Sequence, residues 1–387
     1  MTAPFTFNTA PSIRFGDGLL ADLGSMVMAT GQKRVLVVTD PGMMATDIVA
    51  QALASLAAAG IKSSVYSEVE ADPPEAVVHA ACDAARAADA GLVIGLGGGS
   101  SMDAAKLVAL LVPGHQQLSD AYGVGNAVGP RLPLILVPTT AGTGSEVTPI
   151  SIITTGKSEK MGVVSPVILP DIALLDPGLT MSVPPHVTAA TGIDAMVHAI
   201  EAYASASANN NPVSRQLAVQ ALGLLGGAVE RAVHDGSDRQ ARADMLLGAM
   251  LAGQAFANSP VAAVHALAYP IGGHFKIPHG LSNALVLPHV LRFNAPQAGS
   301  VYAEIAADAF PDLAEVEGGQ ARTAAFVDAL TDLSKRLGLP PRLRDVDIPR
   351  SAIPKMAEDA MVQARLLVNN PREVTQADAQ AIYEAAW

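Results

Sequence analysis

Cysteine is nearly absent from this sequence, since Cys82 is the single one in 387 residues. One cysteine allows neither a disulfide within the chain nor a cysteine-based zinc cluster, and it is typical of a reducing compartment. Basic residues are also scarce, with 24 Lys and Arg against 36 Asp and Glu. Because nucleic-acid binding depends on neutralising phosphates, the charge balance argues against a nucleic-acid partner.

Hydrophobic runs able to cross a membrane are lacking as well. The stretch from Met245 to Phe275 has no charged Asp, Glu, Lys or Arg, but it contains Gln254, Asn258 and His265. We therefore expect a buried helix beside a polar site and no membrane partner. The first fifteen residues have neither the basic start nor the apolar core of a signal peptide, so we expect a cytoplasmic protein.

The sequence has enough residues for two domains, and half of them are apolar although only 4% are aromatic. Buried apolar runs at 34–40, 61–69, 91–96 and 132–140 predict strands, with helical spacing at 44–60 and 75–90 between them. This β-α-β order predicts a parallel, doubly wound sheet. Near 170–185 the alternation stops and the rest is predicted to be helical, so we expect an α/β domain at 1–178 and an all-α domain at 179–387.

A glycine-rich turn follows the third predicted strand. Gly97, Gly98 and Gly99 precede a helix that begins near Ser100, so backbone N–H groups and the positive end of the helix dipole can face a pyrophosphate. A tight strand-to-helix turn without a ligand is the alternative. The motif is not a P-loop, because no Gly-Lys-Ser/Thr closes it. It is not the usual Rossmann fingerprint either, because Ser100 stands in place of the third glycine and the strand-end acid, Asp40, precedes the glycines.

Small hydroxyl residues crowd the segment after the fourth predicted strand, which we expect to be a loop over 141–154. They could bind a ribose or a phosphate, or they could be ordinary turn residues. The residues are Thr139, Thr140, Thr143, Ser145 and Thr148.

Asp194 and His198 stand four residues apart, so they lie on one face of a predicted helix and can converge on one ion. A simple contact on the helix surface is the alternative. His265 and His279 can complete the set, and one carboxylate with three imidazoles suits Fe(II) or Zn(II).

The prolines near these histidines suggest how they could meet. We expect Pro270, with the following glycines, to bend or end the helix of His265, and Pro278 to open the next helix. A turn between the two helices could then return His279 toward His265. We expect His274 to be a solvated or loop residue.

Four motifs, GGGSSMDAAK, PTTAGTGSE, GIDAMVHAIEAY and HALAYPIGGHFKIPHG, occur in an order and spacing that resemble the iron-containing (group III) alcohol dehydrogenase family. The resemblance implies an N-terminal dinucleotide-binding domain and an all-helical metal-binding domain, the fold shared with dehydroquinate synthase. It also implies hydride transfer between NAD(H) and a small alcohol, aldehyde, hydroxy acid or oxo acid, and a homodimer or larger assembly.

The resemblance also implies roles for individual residues. Asp194, His198, His265 and His279 match the metal ligands, and Phe256 matches a wall of the substrate pocket. Asp40 matches the position that sets coenzyme choice. The other cofactor positions are Gly97 to Ser100, with Asp103, for the pyrophosphate, Thr139, Thr140 and Thr143 for adenosine and nicotinamide, and Lys160 for the ribose.

Tyr269 departs from the family pattern, since many members have a second histidine four residues after the third ligand. A tyrosine occurs there in some branches, including hydroxyacid-oxoacid transhydrogenases, so Tyr269 is a candidate catalytic residue that relays a proton or only packs. The rival activities are a zinc-dependent glycerol dehydrogenase, a dehydroquinate synthase-like lyase, and a nucleotide-binding or filament-forming protein without catalysis.

Overall fold

The computed structural model describes residues 3–156 and 159–387, which form two compact units. The sheet unit comprises Asn8–Thr140 and Gly144–Met181, and the helical unit comprises residues 3–7, Ala141–Thr143 and Ser182–Trp387. The domain boundary predicted between residues 178 and 179 falls in the short 3-10 helix Pro177–Thr180 and stays a prediction. No helix within the described residues is long and apolar enough to cross a membrane.

The sheet unit alternates strands and helices along the chain. Its strands are β1 (Ser12–Phe15), β2 (Arg34–Val38), β3 (Lys62–Tyr66), β4 (Leu92–Gly97), β5 (Gly123–Val124), β6 (Leu134–Pro138), β7 (Ile150–Thr155), β8 (Glu159–Val164) and β9 (Ile172–Leu175). Its helices are α1 (Leu23–Ala29), α2 (Pro41–Met44), α3 (Asp47–Ala58), α4 (Glu75–Ala87), α5 (Gly99–Leu111) and α6 (Leu118–Ala121). Further 3-10 helices are Leu19–Asp22, Ser145–Val147 and Pro166–Ile168.

A six-stranded parallel sheet, in the order β1-β9-β6-β4-β2-β3, forms the centre of this unit. Strands β4 and β6 consist entirely of buried residues because helices cover both faces. Helices α4 and α5 pack on one face, and α1 and α3 pack on the other. The predicted doubly wound α/β fold is confirmed.

The register of the sheet brings three strand ends to one edge. Val38 pairs with Gly95, and Gly97 pairs with Pro138, so β2, β4 and β6 end side by side. Asp40, the glycine turn and Thr139 follow these ends directly. The three loops that the sequence predicts to bind a nucleotide therefore lie at the same edge of the sheet.

Two expectations about strands were wrong. Strand β9 lies beyond Pro170, where we expected strands to have ended, and it pairs with both β1 and β6. The segment 141–154 is not all loop, because β7 forms an antiparallel hairpin with β8 in a separate small sheet with β5. Strand β9 has only four residues, and its partners come from distant parts of the chain, so its local sequence carries little signal.

Every regular element among the described residues after β9 is helical, which confirms the predicted all-α second half. The α-helices are α7 (Pro185–Ala204), α8 (Pro212–His234), α9 (Arg239–Asn258), α10 (Ala263–Phe275), α11 (His279–Ala309), α12 (Gly319–Arg336), α13 (Ile353–Ala360), α14 (Ala364–Leu367) and α15 (Gln376–Ala386). The 3-10 helices are Pro177–Thr180, Pro311–Glu315, Leu343–Val346 and Arg350–Ala352.

Close packing against α7 positions the beginning of α11. A Cβ added at Gly280 would collide with the backbone of Ala190 and would lie 3.2 Å from the Cβ of Asp194. Only glycine allows this approach without a shift of one helix. The contact places His279, the first residue of α11, beside the helix that carries Asp194.

Pro270 does not end its helix, so of the two expected outcomes, a bend or an end, the structure excludes the end. Helix α10 continues through Pro270 to Phe275 and ends at Lys276, which has a left-handed conformation with φ 57°. A proline removes one intrahelical hydrogen bond, and the buried neighbours Leu267 and Ile271 anchor both sides of the interruption. The return toward His279 therefore occurs at residues 276–278, and His274 lies in the last helical turn.

Candidate metal centre and nucleotide-binding loops

The glycine turn joins β4 directly to α5. Gly97 has φ 148°, and a Cβ there would lie 3.0 Å from Oδ2 of Asp40. Gly98 is the N-cap of α5 and provides no side-chain cap for the first N–H groups of the helix. These N–H groups are free to donate to an anion, as the phosphate-binding interpretation requires.

Asp40 is hydrogen-bonded to Ser101, which follows the glycine turn. Its Oδ1 caps α2 by accepting from the backbone N of Met43 (3.0 Å), and Ser101 Oγ donates to its Oδ2 (3.1 Å). Each carboxylate oxygen has a further lone pair available to a hydroxyl donor. The structure therefore places Asp40 beside the predicted pyrophosphate loop, where a ribose hydroxyl could reach it.

Thr139 and Thr140 flank the same glycines. The backbone N of Thr139 donates to Gly97 O (3.0 Å), and a Cβ at Gly98 would lie 3.7 Å from Oγ1 of Thr140. Thr143 belongs to the helical unit, so the sheet unit alone does not bring all three threonines together.

A buried lysine that we did not predict anchors the hydroxyl-rich segment. Lys106 Nζ donates to Ser145 Oγ (2.8 Å), Thr148 Oγ1 (3.2 Å) and Ile150 O (2.6 Å). Burial lowers the pKa of this lysine, although neighbouring Asp103 acts to raise it. In the sequence, Lys106 stands out only as a lone charge in the apolar run AAKLVALL. That pattern does not predict which residues the lysine contacts.

Two predicted cofactor contacts point into the interior. Asp103 accepts from Ser145 Oγ (2.6 Å) and from the backbone N of Ile152 (2.8 Å). Thr148 is 2% exposed, and its hydroxyl accepts from Lys106. Both side chains hold α5 against the segment that leads into β7 and against β7 itself, and their contact with the cofactor stays a prediction.

Lys160 lies on β8 and forms an ion pair with Asp72, with Nζ 2.6 Å from Oδ1. Its Nζ also donates to Thr154 Oγ1 at 3.1 Å. The side chain of Lys160 is 11% exposed, so it lies mostly within the sheet unit.

Three helices of the helical unit bring the four predicted metal ligands together. Ligand atoms of Asp194, His198 and His265 all lie within 4.8 Å of one another. His279 adds its Nε2 at 3.7 Å from Oδ1 of Asp194, and Nε2 of His265 lies 3.8 Å from the same oxygen. For bonds of about 2.1 Å in a tetrahedral site, ligand atoms are about 3.4 Å apart, so these separations suit one shared cation.

The centre is buried on one side and open on the other. The side chains of Asp194 and His265 are each 3% exposed, whereas His279 is 39% exposed. A cation there would be enclosed by helices except near His279, which leaves room for a substrate oxygen.

Electrostatics keep the ligands in their metal-binding forms. Burial lowers the pKa of His198 to about 3, although Asp194 acts to raise it. Burial alone would raise the pKa of Asp194, but the three imidazoles and the amide of Asn283 outweigh burial and hold that pKa below its ordinary value. Near neutral pH the site therefore offers a carboxylate and a neutral His198 imidazole.

Glu201 and Asn283 support the centre and were missed in the sequence. Glu201 Oε2 lies 2.7 Å from Nδ1 of His265, and its Oε1 accepts from the backbone N of Val264 at 2.7 Å. A carboxylate only accepts, so Nδ1 donates to Glu201, and in the neutral imidazole Nε2 is then the nitrogen with the lone pair. Helical spacing could have indicated both residues. Glu201 lies three residues after His198 on α7, and Asn283 lies four residues after His279 on α11, so each shares a helix face with a predicted ligand.

Two aromatic side chains border the ligands. Phe256 stacks on His198 with ring centroids 4.3 Å apart, and the ring of Tyr269 lies 5.9 Å from that of His279. Nε2 of His274 instead lies 2.7 Å from Oδ2 of Asp359, outside the ligand cluster. Its position in α10 excludes the loop alternative, and its exposed side chain agrees with the expectation of a solvated histidine.

Comparison with known protein families identifies the chain. The family described as iron-containing alcohol dehydrogenase matches residues 10–177, and the Fe-containing alcohol dehydrogenase family, C-terminal, matches residues 188–387. The chain belongs to the iron-containing alcohol dehydrogenase family. It is 42% identical over 388 residues to long-chain-alcohol dehydrogenase 1 of Geobacillus thermodenitrificans (strain NG80-2), covering 97% of this chain and 95% of the relative.

Solved structures of oxidoreductases have the same fold. A 1,3-propanediol oxidoreductase superposes with a TM-score of 0.95 at 33% identity, covering 100% of both chains. A sulfoacetaldehyde reductase from Bifidobacterium kashiwanohense, in complex with NAD+, superposes with a TM-score of 0.88 at 29% identity, covering 99% of both chains. The predicted family and activity are confirmed: this iron-containing alcohol dehydrogenase is an NAD-linked oxidoreductase of alcohols and aldehydes.

The residues fit the metal that the family name implies. Possible ligand atoms of one carboxylate and three imidazoles converge, and nitrogen and oxygen donors of this kind suit both Fe(II) and Zn(II). The convergence of four such donors at these separations is the observation that supports the fit.

Proposed function

We propose that Asp194, His198, His265 and His279 hold one Fe(II) or Zn(II) ion per chain and that the substrate oxygen binds on the side of His279. The convergence of ligand atoms around Oδ1 of Asp194 carries this proposal. When bound, the ion supplies a Lewis acid for the alcohol or carbonyl oxygen, and NAD(H) exchanges the hydride.

The chain's own residues hold and orient the reactants. Helices α7, α10 and α11 position the ligands, and Glu201 sets the tautomer of His265. Phe256, stacked on His198, excludes water from the buried side. We place Tyr269 at the open side, where its ring approaches His279, and assign it a role in orienting the substrate oxygen or relaying its proton.

The glycine turn and its neighbours are the proposed NAD(H) site. Gly97, Gly98, Gly99 and Ser100 face the pyrophosphate, and Asp40 accepts from a ribose hydroxyl. Thr139, Thr140, Thr143 and Lys160 supply further contacts to the nucleotide. Asp103 and Thr148 act indirectly, because their polar atoms already bind Ser145, Ile152 and Lys106. This assigns coenzyme binding to residues 1–178 and metal binding to residues 179–387.

The substrate we propose is a small alcohol or aldehyde, with a hydroxy acid or oxo acid as the alternative. A cytoplasmic homodimer is the accompanying proposal, as expected from the single cysteine and from the family resemblance.

The test combines metal analysis with an NADH absorbance assay on a panel of aldehydes and oxo acids. We expect close to one Fe or Zn per chain, and His279→Ala should lose metal and activity together. His274→Ala is the matched control, since His274 pairs with Asp359 outside the cluster, and it should retain both. Full activity after exhaustive chelation would rule out the metal centre, and turnover of a sugar phosphate without net NADH change would favour the lyase.

A further inference from the structure

Asn283 occupies an unusual place in the ligand cluster. Its Nδ2 lies 2.5 Å from Oδ1 of Asp194 and 3.3 Å from Nε2 of both His265 and His279. One amide nitrogen thus approaches three of the four proposed ligand atoms. Two N–H bonds cannot satisfy three acceptors fully, so the contact to the carboxylate dominates.

The chemistry of the contacts determines which end of the amide faces the ligands. Asp194 carries a carboxylate oxygen, and Nε2 is the lone-pair nitrogen of a neutral His265 imidazole whose Nδ1 donates to Glu201. An amide oxygen at the same place would add a further lone pair to this group and repel it. The amide nitrogen therefore faces the cluster.

The amide oxygen of the same side chain does not fix its orientation. Oδ1 of Asn283 is buried and has no hydrogen-bond partner among the described residues. The orientation of the amide therefore depends on the contacts of Nδ2 with the ligand cluster. Rotation away from Asp194 would break those contacts and no other hydrogen bond.

We propose that Asn283 competes with the metal ion for Asp194, His265 and His279, so that ion binding is coupled to rotation of its amide. An ion bonded to these three atoms at about 2.1 Å would lie roughly 2 Å from the present position of Nδ2. An amide nitrogen that carries two hydrogens cannot lie so close to a cation, so the amide must rotate away when the ion binds. Asn283 is then a positioning residue that keeps the ligands converged and lowers the affinity for the metal. This inference rests on the metal centre proposed above.

The experiment measures Zn(II) affinity of the chelated, purified enzyme against a competing chromophoric chelator, together with Tm with and without Zn(II). Asn283→Ala removes the competing amide, so we expect about tenfold tighter Zn(II) binding, the size expected for losing one charge-assisted hydrogen bond. We also expect a larger rise in Tm on adding Zn(II) than in the wild type. Asn283→Ser serves as a second variant if the alanine variant does not fold.

Asn294→Ala is the matched control. Asn294 is also buried on α11 but binds Tyr302 and Asn370 (3.2 and 3.0 Å), so its loss should lower Tm without changing the Zn(II) affinity. Equal or weaker Zn(II) binding by Asn283→Ala than by the wild type would overturn the competition. Absence of a stoichiometric Zn(II) site in the wild type would instead overturn the metal centre itself.

Discussion

Glu201 offers the sharpest test of how the metal centre is held. Its carboxylate is 5% exposed and joins two donors, Nδ1 of His265 and the backbone N of Val264, each at 2.7 Å. Glu201→Gln keeps the size but replaces one acceptor oxygen by an NH2 group. That NH2 group must face one of the two donors. If it faces His265, the imidazole proton must move from Nδ1 to Nε2, and a protonated Nε2 has no lone pair with which to bind a metal.

The magnitude follows from these two bonds. A hydrogen bond to a charged group contributes about 1.5–3 kcal/mol and a neutral one about 0.5–1.5 kcal/mol, so losing the charge costs on the order of 1–3 kcal/mol over the pair. Changes to a carboxylate that orients a metal-binding histidine lower metal affinity by about 10- to 100-fold. We expect Glu201→Gln to fall in this range and to lose kcat in proportion to lost metal.

The assay is metal content per chain after dialysis against a graded series of chelator concentrations, with kcat measured on the same samples. Glu304→Gln is the control, because Glu304 is 53% exposed and binds Arg215 at the surface. Its metal affinity should equal that of the wild type. Wild-type metal retention and kcat in Glu201→Gln would refute the claim that Glu201 sets the tautomer of His265.

Three further predictions concern the coenzyme, the open side of the centre and pH. Asp40→Asn keeps an acceptor for the α2 cap but removes the charge that repels a 2′-phosphate, so the NAD over NADP ratio of kcat/KM should fall by roughly 5- to 150-fold, a change of ~1–3 kcal/mol; an unchanged ratio would remove Asp40 from coenzyme selection. Tyr269→Phe should lower kcat by about 10- to 100-fold at unchanged metal content if its hydroxyl handles the substrate proton, whereas near-wild-type kinetics would leave it a packing role. Burial raises the pKa of Glu146 to about 7, against partial compensation by Lys106, so its stabilising contribution is fully present below pH 4.5 and is lost as pH rises through about 7. Glu146→Gln should therefore flatten the fall of Tm between pH 5 and 8, and a parallel fall in the variant would contradict this.

Local spacing was sufficient for part of the site. Asp194 and His198 share a helix face because four residues make about one turn, and the structure places both in the cluster. The turn from β4 into α5 was equally predictable, because successive glycines stand between an apolar strand and a helical segment; its binding of a pyrophosphate stays a prediction. In each case one element, or two adjacent elements, contains all of the needed information.

The sequence by itself thus determined the α/β order, the all-helical second half, the family and the four ligand candidates. Only the tertiary structure decided that α10 runs through Pro270, that β9 completes the sheet beside β1, and that Asp103 and Thr148 turn inward to Ser145, Ile152 and Lys106. It also brought Glu201 to His265 across 64 positions of the chain. Periodicity determines which face of an element is buried, but the partner of a buried polar group depends on how distant elements pack, and that information is not local.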